Sequence, residues 1–411
     1  MAERIPSVPF SRPSISRAEE DAVLAVLRSG WLTTGTQTLQ FEQEFSAFMN
    51  GCDTPDVKNA RAAAGLDAGA VASLAVNSNT SGMMLAMEAC GVAPGTAVVT
   101  TPYTFASTAM CARHLGADVV FADISADGYN IDPERVAGLL AADTERRIKA
   151  VVPVHIAGVV CDMERLCALG AQYGVKIIED AAHSFPSPTA LGAAGAIADA
   201  GVFSFYATKT ITTAEGGMVC TRSPGIARRM ATMRMHGMDR TAWDRYTSPR
   251  ASWEYDIVAP GWKCNLPDIL SAIGRCQLKR AWEFCVRRTR IAQLYNKAFS
   301  ELDFVRVPPD GAGNAWHLYL LRLVPERLRI SRRRFAELLQ ERGIGISMHF
   351  IPLFHFTYWK ELYPDFRAER FPRAEEAYSA TITLPLWPDM TDSMAAQVVE
   401  AVAHIGREHH A

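Results

Sequence analysis

Between residues 97 and 180 the chain alternates continuous apolar runs with segments of helical spacing, and this alternation limits its fold more than any other feature. Residues 97–101, 119–123, 150–155 and 175–179 are short and apolar on both faces, while 104–114, 133–140 and 163–173 read as helices between them. Strands without a polar face need cover on both sides. The pattern therefore implies a mostly parallel sheet between two helical layers, an α/β fold. Residues 73–76 and 202–206 add two further strand-like runs. In such sheets ligands lie beyond the carboxyl ends of the strands. The loops after Val76, Thr101, His155, Asp180 and Phe205 fall there.

Two of those loops carry a specific chemistry. Lys209 follows the run at 202–206 and sits among Thr208, Thr210, Thr212 and Thr213, ahead of Gly216 and Gly217; Asp180 closes the run at 175–179. A lysine able to form an imine and an aspartate able to face a pyridinium nitrogen are together the protein's side of pyridoxal phosphate chemistry. Taken singly, a lysine in a threonine-rich loop is an ordinary surface residue and an aspartate after a strand an ordinary turn residue. After the run at 73–76 come Asn77-Ser78-Asn79-Thr80-Ser81-Gly82 and an apolar-periodic helix. Free N–H groups and the positive helix end make such a loop a phosphate cradle. It is equally a plain N-cap.

DAAHSF at 180–185, FSFYATKTITTAEGGMV at 203–219 and LPL at 384–386 resemble the DegT/DnrJ/EryC1/StrS aminotransferases, and the resemblance runs from about residue 5 to about 390. It implies a fold-type I pyridoxal phosphate enzyme. The large domain has a mostly parallel seven-stranded sheet, and a smaller α+β domain is C-terminal. The expected division is 1–262, a linker helix 263–295, and 296–411. It implies transfer of an amino group, with L-glutamate as donor, to a keto-sugar that is nucleotide-linked, in ping-pong fashion through an internal aldimine at Lys209. Alternatives are a non-sugar ketone or aminocyclitol as acceptor, or a non-catalytic regulator that binds the cofactor. Related dehydratases lack the lysine, which favours transamination.

By the same resemblance His183 contacts the cofactor or Asp180, Phe105 stacks on the ring with Tyr103 as competitor, and Ser204 donates to the phosphate. The family writes Ser-Gly-Thr where this chain has Ser78-Asn79-Thr80. Asn265, in a G-x-K-x-N loop, reaches the phosphate of a partner subunit, so the expected assembly is a homodimer with shared sites. Thr34 in GWLTTG, Tyr206, Trp316, His317 and His349 are the substrate-side residues, with His355 and Tyr358 further out.

Forty-two Lys+Arg against 44 Asp+Glu leave no basic footprint for nucleic acid, and no apolar run is long enough for a membrane span. The first residues have no signal-peptide pattern, and nine scattered cysteines without zinc spacing suit reduced thiols in a cytoplasmic enzyme without a metal. Prolines 6, 9 and 13 suggest an extended start, and Ser16 and Glu19 a capping box. Residues 51–70 read as a surface insertion, 267–290 as one long helix with Ile269, Ile273, Cys276, Leu278 and Trp282 as its apolar set, 316–320 as a strand, and 404–410 as a frayed tail.

Overall fold

The computed structural model describes residues 7–67, 69–239, 254–311 and 313–411; Pro6 lies outside them. The chain enters through α1 (Arg17–Ser29) and α2 (Thr36–Asn50). The capping box is formed: Ser16 accepts from the first turn and Glu19 reaches back to the Ser16 N–H at 2.8 Å. A further helix, α3 (Pro55–Ala63), occupies the stretch expected to be a surface insertion. It is instead tied to the body. Arg61 is 1% exposed and donates to the carbonyls of Leu191 and Ile197, and Asp53 pairs with buried Arg222 at 2.8 Å.

The strands are β1 (Ala72–Val76), β2 (Ala97–Thr100), β3 (Asp118–Phe121), β4 (Ile148–Val151) and β5 (Lys176–Asp180), a small hairpin β6 (Pro188–Thr189) with β7 (Gly192–Ala193), then β8 (Ala200–Ser204) and β9 (Gly217–Thr221). Seven of them form one sheet in the order β1-β9-β8-β5-β4-β2-β3. All run parallel except β9, which is antiparallel to both its neighbours. Between them lie α4 (Asn79–Ala89), α5 (Ala106–His114), α6 (Pro133–Ala142), α7 (Met163–Tyr173) and α8 (Pro224–Met233). The apolar strand runs account for the two-sided cover. Val76, Val98, Ala150, Ile178 and Val202 face one cluster, and Val99, Val151 and Ile177 face another.

The long helix is two: α9 (Asp268–Lys279) and α10 (Ala281–Phe299), parted at Arg280. The buried face of α9 is small and polar, with Asp268, Ser271, Ala272, Gly274 and Gln277 joined by Leu278; Ile269, Ile273 and Cys276 are half-buried, and Trp282 is 45% exposed. Of the apolar set only Leu278 is fully buried. A second sheet joins β10 (Val305–Arg306), β11 (Tyr319–Leu323) and β12 (Thr381–Leu384), antiparallel throughout. Strand β11 begins three residues later than expected because Trp316 has a left-handed backbone, φ 46°. The C-terminal residues are not frayed: Arg329 N–H donates to the His409 carbonyl at 2.9 Å, and His410 lies 2.9 Å from Asp303.

Candidate active site

A cleft of about 320 Å³ opens at the carboxyl ends of β1, β5 and β8, the position the sheet predicts for a ligand. Strand β5 delivers Asp180 to it, and β8 delivers Ser204 and, through the following turn, Tyr206, Thr208 and Lys209. Successive strand side chains face opposite ways. Glu179 accordingly turns away and accepts N–H groups of Gly195, Ile197 and Ala198 at 2.7–2.9 Å, with His155 Nε2 at 3.0 Å. Since His155 Nδ1 accepts the Cys161 N–H, Nε2 carries the proton and donates to Glu179.

Lys209 and Asp180, 29 residues apart in sequence, line the same cleft. Burial lowers the Lys209 amine from its usual value to about 8, and Asp180 opposes that shift. Burial raises the Asp180 carboxyl, against the Thr108 hydroxyl, the Ala182 N–H, Lys209 and His155. The Thr108 hydroxyl donates to Asp180 Oδ2 at 2.8 Å and the Ala182 N–H to Oδ1 at 3.2 Å.

The start of α4 forms one wall through Ser78, Asn79 and Thr80. Ser78 is an N-cap, its hydroxyl accepting the Ser81 N–H at 3.1 Å. Cap and cradle are thus the same structure, since the first helical N–H groups have no partners within the helix. Gly217 lets β9 pass this turn: a Cβ there would lie 2.8 Å from the Asn79 nitrogen.

Three histidines close the far side. His183 Nδ1 accepts the Ala157 N–H at 3.3 Å, so its Nε2 holds the proton. Its ring centroid lies 4.4 Å from His317, and Phe350 stacks on its ring at 5.6 Å. His349 Nδ1 meets the Thr383 hydroxyl at 3.0 Å. Burial pushes His183 and His317 well below the usual imidazole range and His349 down to about 4. Phe105, 63% exposed, and Tyr206, 49% exposed, stand at the rim. Tyr103 is no rival to Phe105: it is fully buried, its hydroxyl donating to the His349 carbonyl at 2.8 Å.

Four expected residues lie elsewhere. Trp316 is 2% exposed, stacks on Tyr319, and faces a separate hollow of about 290 Å³, because its left-handed backbone turns the ring away from the cleft. Asn265 and Thr34 do not line this chain's cleft; the Asn265 amide donates to the Thr34 hydroxyl at 2.6 Å, which donates to the Leu266 carbonyl. His355 is paired with Glu375 at 2.6 Å, away from the cleft. Unforeseen lining residues are Thr104, Ser107, Thr208, Glu215, Gly216 and Phe350. Glu215 stood in the quoted motif at 203–219, and Phe350 stands in the 346–352 segment, which resembles a family stretch lining the acceptor mouth.

The model of the DegT/DnrJ/EryC1/StrS aminotransferase family matches residues 13–403. The spore coat polysaccharide biosynthesis protein SpsC of Bacillus subtilis is 39% identical over 401 residues, 97% of each chain. Among solved structures, Spr1654 of Streptococcus pneumoniae in its PMP form superposes with TM-score 0.85 at 29% identity, covering 98% of this chain and 100% of that one. PseC of Helicobacter pylori, an aminotransferase involved in the biosynthesis of pseudoaminic acid, gives 0.84 at 27% identity, covering 98% and 99%.

Proposed function

The chain belongs to the DegT/DnrJ/EryC1/StrS aminotransferase family, whose members are pyridoxal phosphate enzymes, and from that premise we propose that it moves an amino group from L-glutamate to a nucleotide-linked keto-sugar. The observation that carries the reading is the meeting of the Lys209 amine and the Asp180 carboxylate in one cleft with a helix N-terminus on its wall. That set suits the cofactor: an amine for its aldehyde, an acid for its ring nitrogen, and N–H groups for its phosphate. When bound, the cofactor supplies an electron sink beside the carbon that exchanges its hydrogen.

The chain's residues do the rest. Lys209 would hold the cofactor through its amine and, freed by the donor, would carry a proton from the substrate's α-carbon to the cofactor; a pKa near 8 makes the neutral amine accessible near neutral pH. Asp180 keeps the ring nitrogen protonated. Ser78, Thr80 and Ser204 bind the phosphate, His183 donates through Nε2, and Phe105 covers the ring. Tyr206, His317 and His349 face the acceptor. Asn265 and Thr34, outside their own cleft, serve the second subunit of a homodimer. Exposed Leu24, Leu27, Trp282 and Val286 supply apolar surface for that contact. The chain works in the cytoplasm as a large domain, 1–262, and a small one, 296–411, joined through 263–295. Its nine cysteines are all free, as that compartment requires.

Two measurements test this. Glutamate should bleach the visible band of the bound cofactor, and the aminated cofactor form should then be reoxidised by nucleotide-linked keto-sugars ahead of simple keto acids. Persistence of colour under every amine tried would end the proposal. Lys209→Ala should abolish turnover, a fall of at least about a thousandfold, while leaving the fold intact.

A further inference from the structure

Asn79, the first residue of α4, is 9% exposed, and its side chain does not behave as a helix-surface amide. One Nδ2 hydrogen points at the Val202 carbonyl on β8, 3.0 Å away, and the other at Asp180 Oδ1 on β5, 3.4 Å away. The amide orientation is fixed by these neighbours. Turned over, its oxygen would face a carbonyl and a carboxylate, two acceptors with nothing to donate. The Val202 carbonyl also accepts the Ala181 N–H at 2.9 Å, so its capacity is filled.

On the other carboxylate oxygen the direction of every bond is likewise determined. Thr108 spends its single hydroxyl hydrogen on Asp180 Oδ2, so the 2.9 Å contact between Thr104 and Thr108 must run from Thr104 to Thr108. Asp180 therefore receives neutral donors from three separate elements: Asn79 on α4, Thr108 on α5, and the Ala182 N–H in the loop after β5. We propose that Asn79 is a positioning residue for Asp180, which together with Thr108 holds the carboxylate ionised and fixes the plane in which it meets the cofactor's ring nitrogen. This rests on the reading of Asp180 given above.

A carboxyl this buried would otherwise take up a proton and offer O–H where an acceptor is needed. The titratable groups facing it are Lys209 after β8, His155 after β4, Cys111 on α5 and Cys161 after β4. None of them bonds to the carboxylate directly, so the neutral donors set its plane.

The test is the pH dependence of cofactor affinity, measured by titrating the cofactor-free protein with pyridoxal phosphate from pH 5 to 9. In Asn79→Ala and Asn79→Gly the acid limb, where affinity is lost, should move up by about half a pH unit or more, with affinity above pH 8 within about twofold of the parent. Thr108→Val should do the same and Thr108→Ser should restore the parent profile. Melting of each cofactor-free variant separates this from loss of fold. An unshifted acid limb in both Asn79 variants, with Asp180→Asn still altering the profile, overturns the inference alone. If Asp180→Asn also leaves the profile unchanged, the assignment of Asp180 fails.

Discussion

At the scale of the residue, the site is governed by desolvation. Lys209 has its amine in a cleft whose three histidines are all held neutral by burial, and the Asp180 charge opposes the loss of its proton. Its pKa of about 8 in the fold against 10.5 in the unfolded chain has a consequence for stability. Between those values the unfolded chain binds more protons, so cofactor-free protein gains stability as pH rises from about 8 to 10.5, and the full cost of the buried ammonium is present below 8. Lys209→Met removes that cost while keeping most of the side-chain volume. Cofactor-free Lys209→Met should therefore be more stable than the parent at pH 7, by about 1–3 kcal/mol, with the difference shrinking toward pH 10. Thermal melting at a series of pH values measures this; a difference that does not change with pH would mean that packing, not charge, is responsible.

At the scale of the element, α3 is held by polar bonds more than by its short apolar face. Val57 is its one buried apolar residue, while Arg61 donates to the Leu191 carbonyl in the β6–β7 turn, the Ile197 carbonyl in the β7–β8 loop and the Asp67 carbonyl. Arg61→Met fills much of the space but leaves several buried carbonyls without donors, which should cost about 2–4 kcal/mol in urea unfolding. A loss under half that would place the anchor in Asp53 and Arg222 instead. Why this helix escaped the sequence reading is instructive. The capping box at Ser16, the parallel strands and α7 are local patterns, complete within a dozen residues, and could be read directly. The bonds of Arg61 close over 130 residues, and no periodicity announces them. Strand β9 was missed because it is buried along its length and opens on a glycine pair, Gly216 before it and Gly217 at its start, a composition that reads as a loop. The buried polar face of α9 carries no sequence signal, because Asp268 is buried by accepting the N–H groups of Gly35, Gln37 and Thr38 at 2.8–3.1 Å, contacts that close over more than 200 residues. Within the site, Lys209, Asp180 and the α4 turn were legible because their chemistry is in the residue type. Trp316 was not, since its place depends on a backbone angle that sequence does not display.

At the scale of the whole molecule, the same Asp268 contacts make one block of the 30–38 segment and the start of α9, with the Asn265 amide held on Thr34 at its edge. This block lies beside the end of β1, where Asn265 pairs with Val76, yet its side chains do not enter the neighbouring cleft. A polar group held this firmly at a surface is suited to receiving something from outside the chain, and the proposed dimer supplies it: the phosphate end of the partner's cofactor. A mixing experiment decides the matter. Asn265→Ala should weaken cofactor retention by about tenfold, the order expected for one lost hydrogen bond to a charged phosphate. Lys209→Ala is inactive by itself. If the sites are shared, a mixed dimer of the two variants contains one site with an intact Lys209 from one subunit and an intact Asn265 from the other. Co-refolding the two variants at limiting cofactor should then restore activity above the sum of the separate preparations, approaching a quarter of the parent's for random pairing, one intact site in each of the half of dimers that are mixed. If each chain completes its own site, every site in the mixture carries a lesion and the activities merely add.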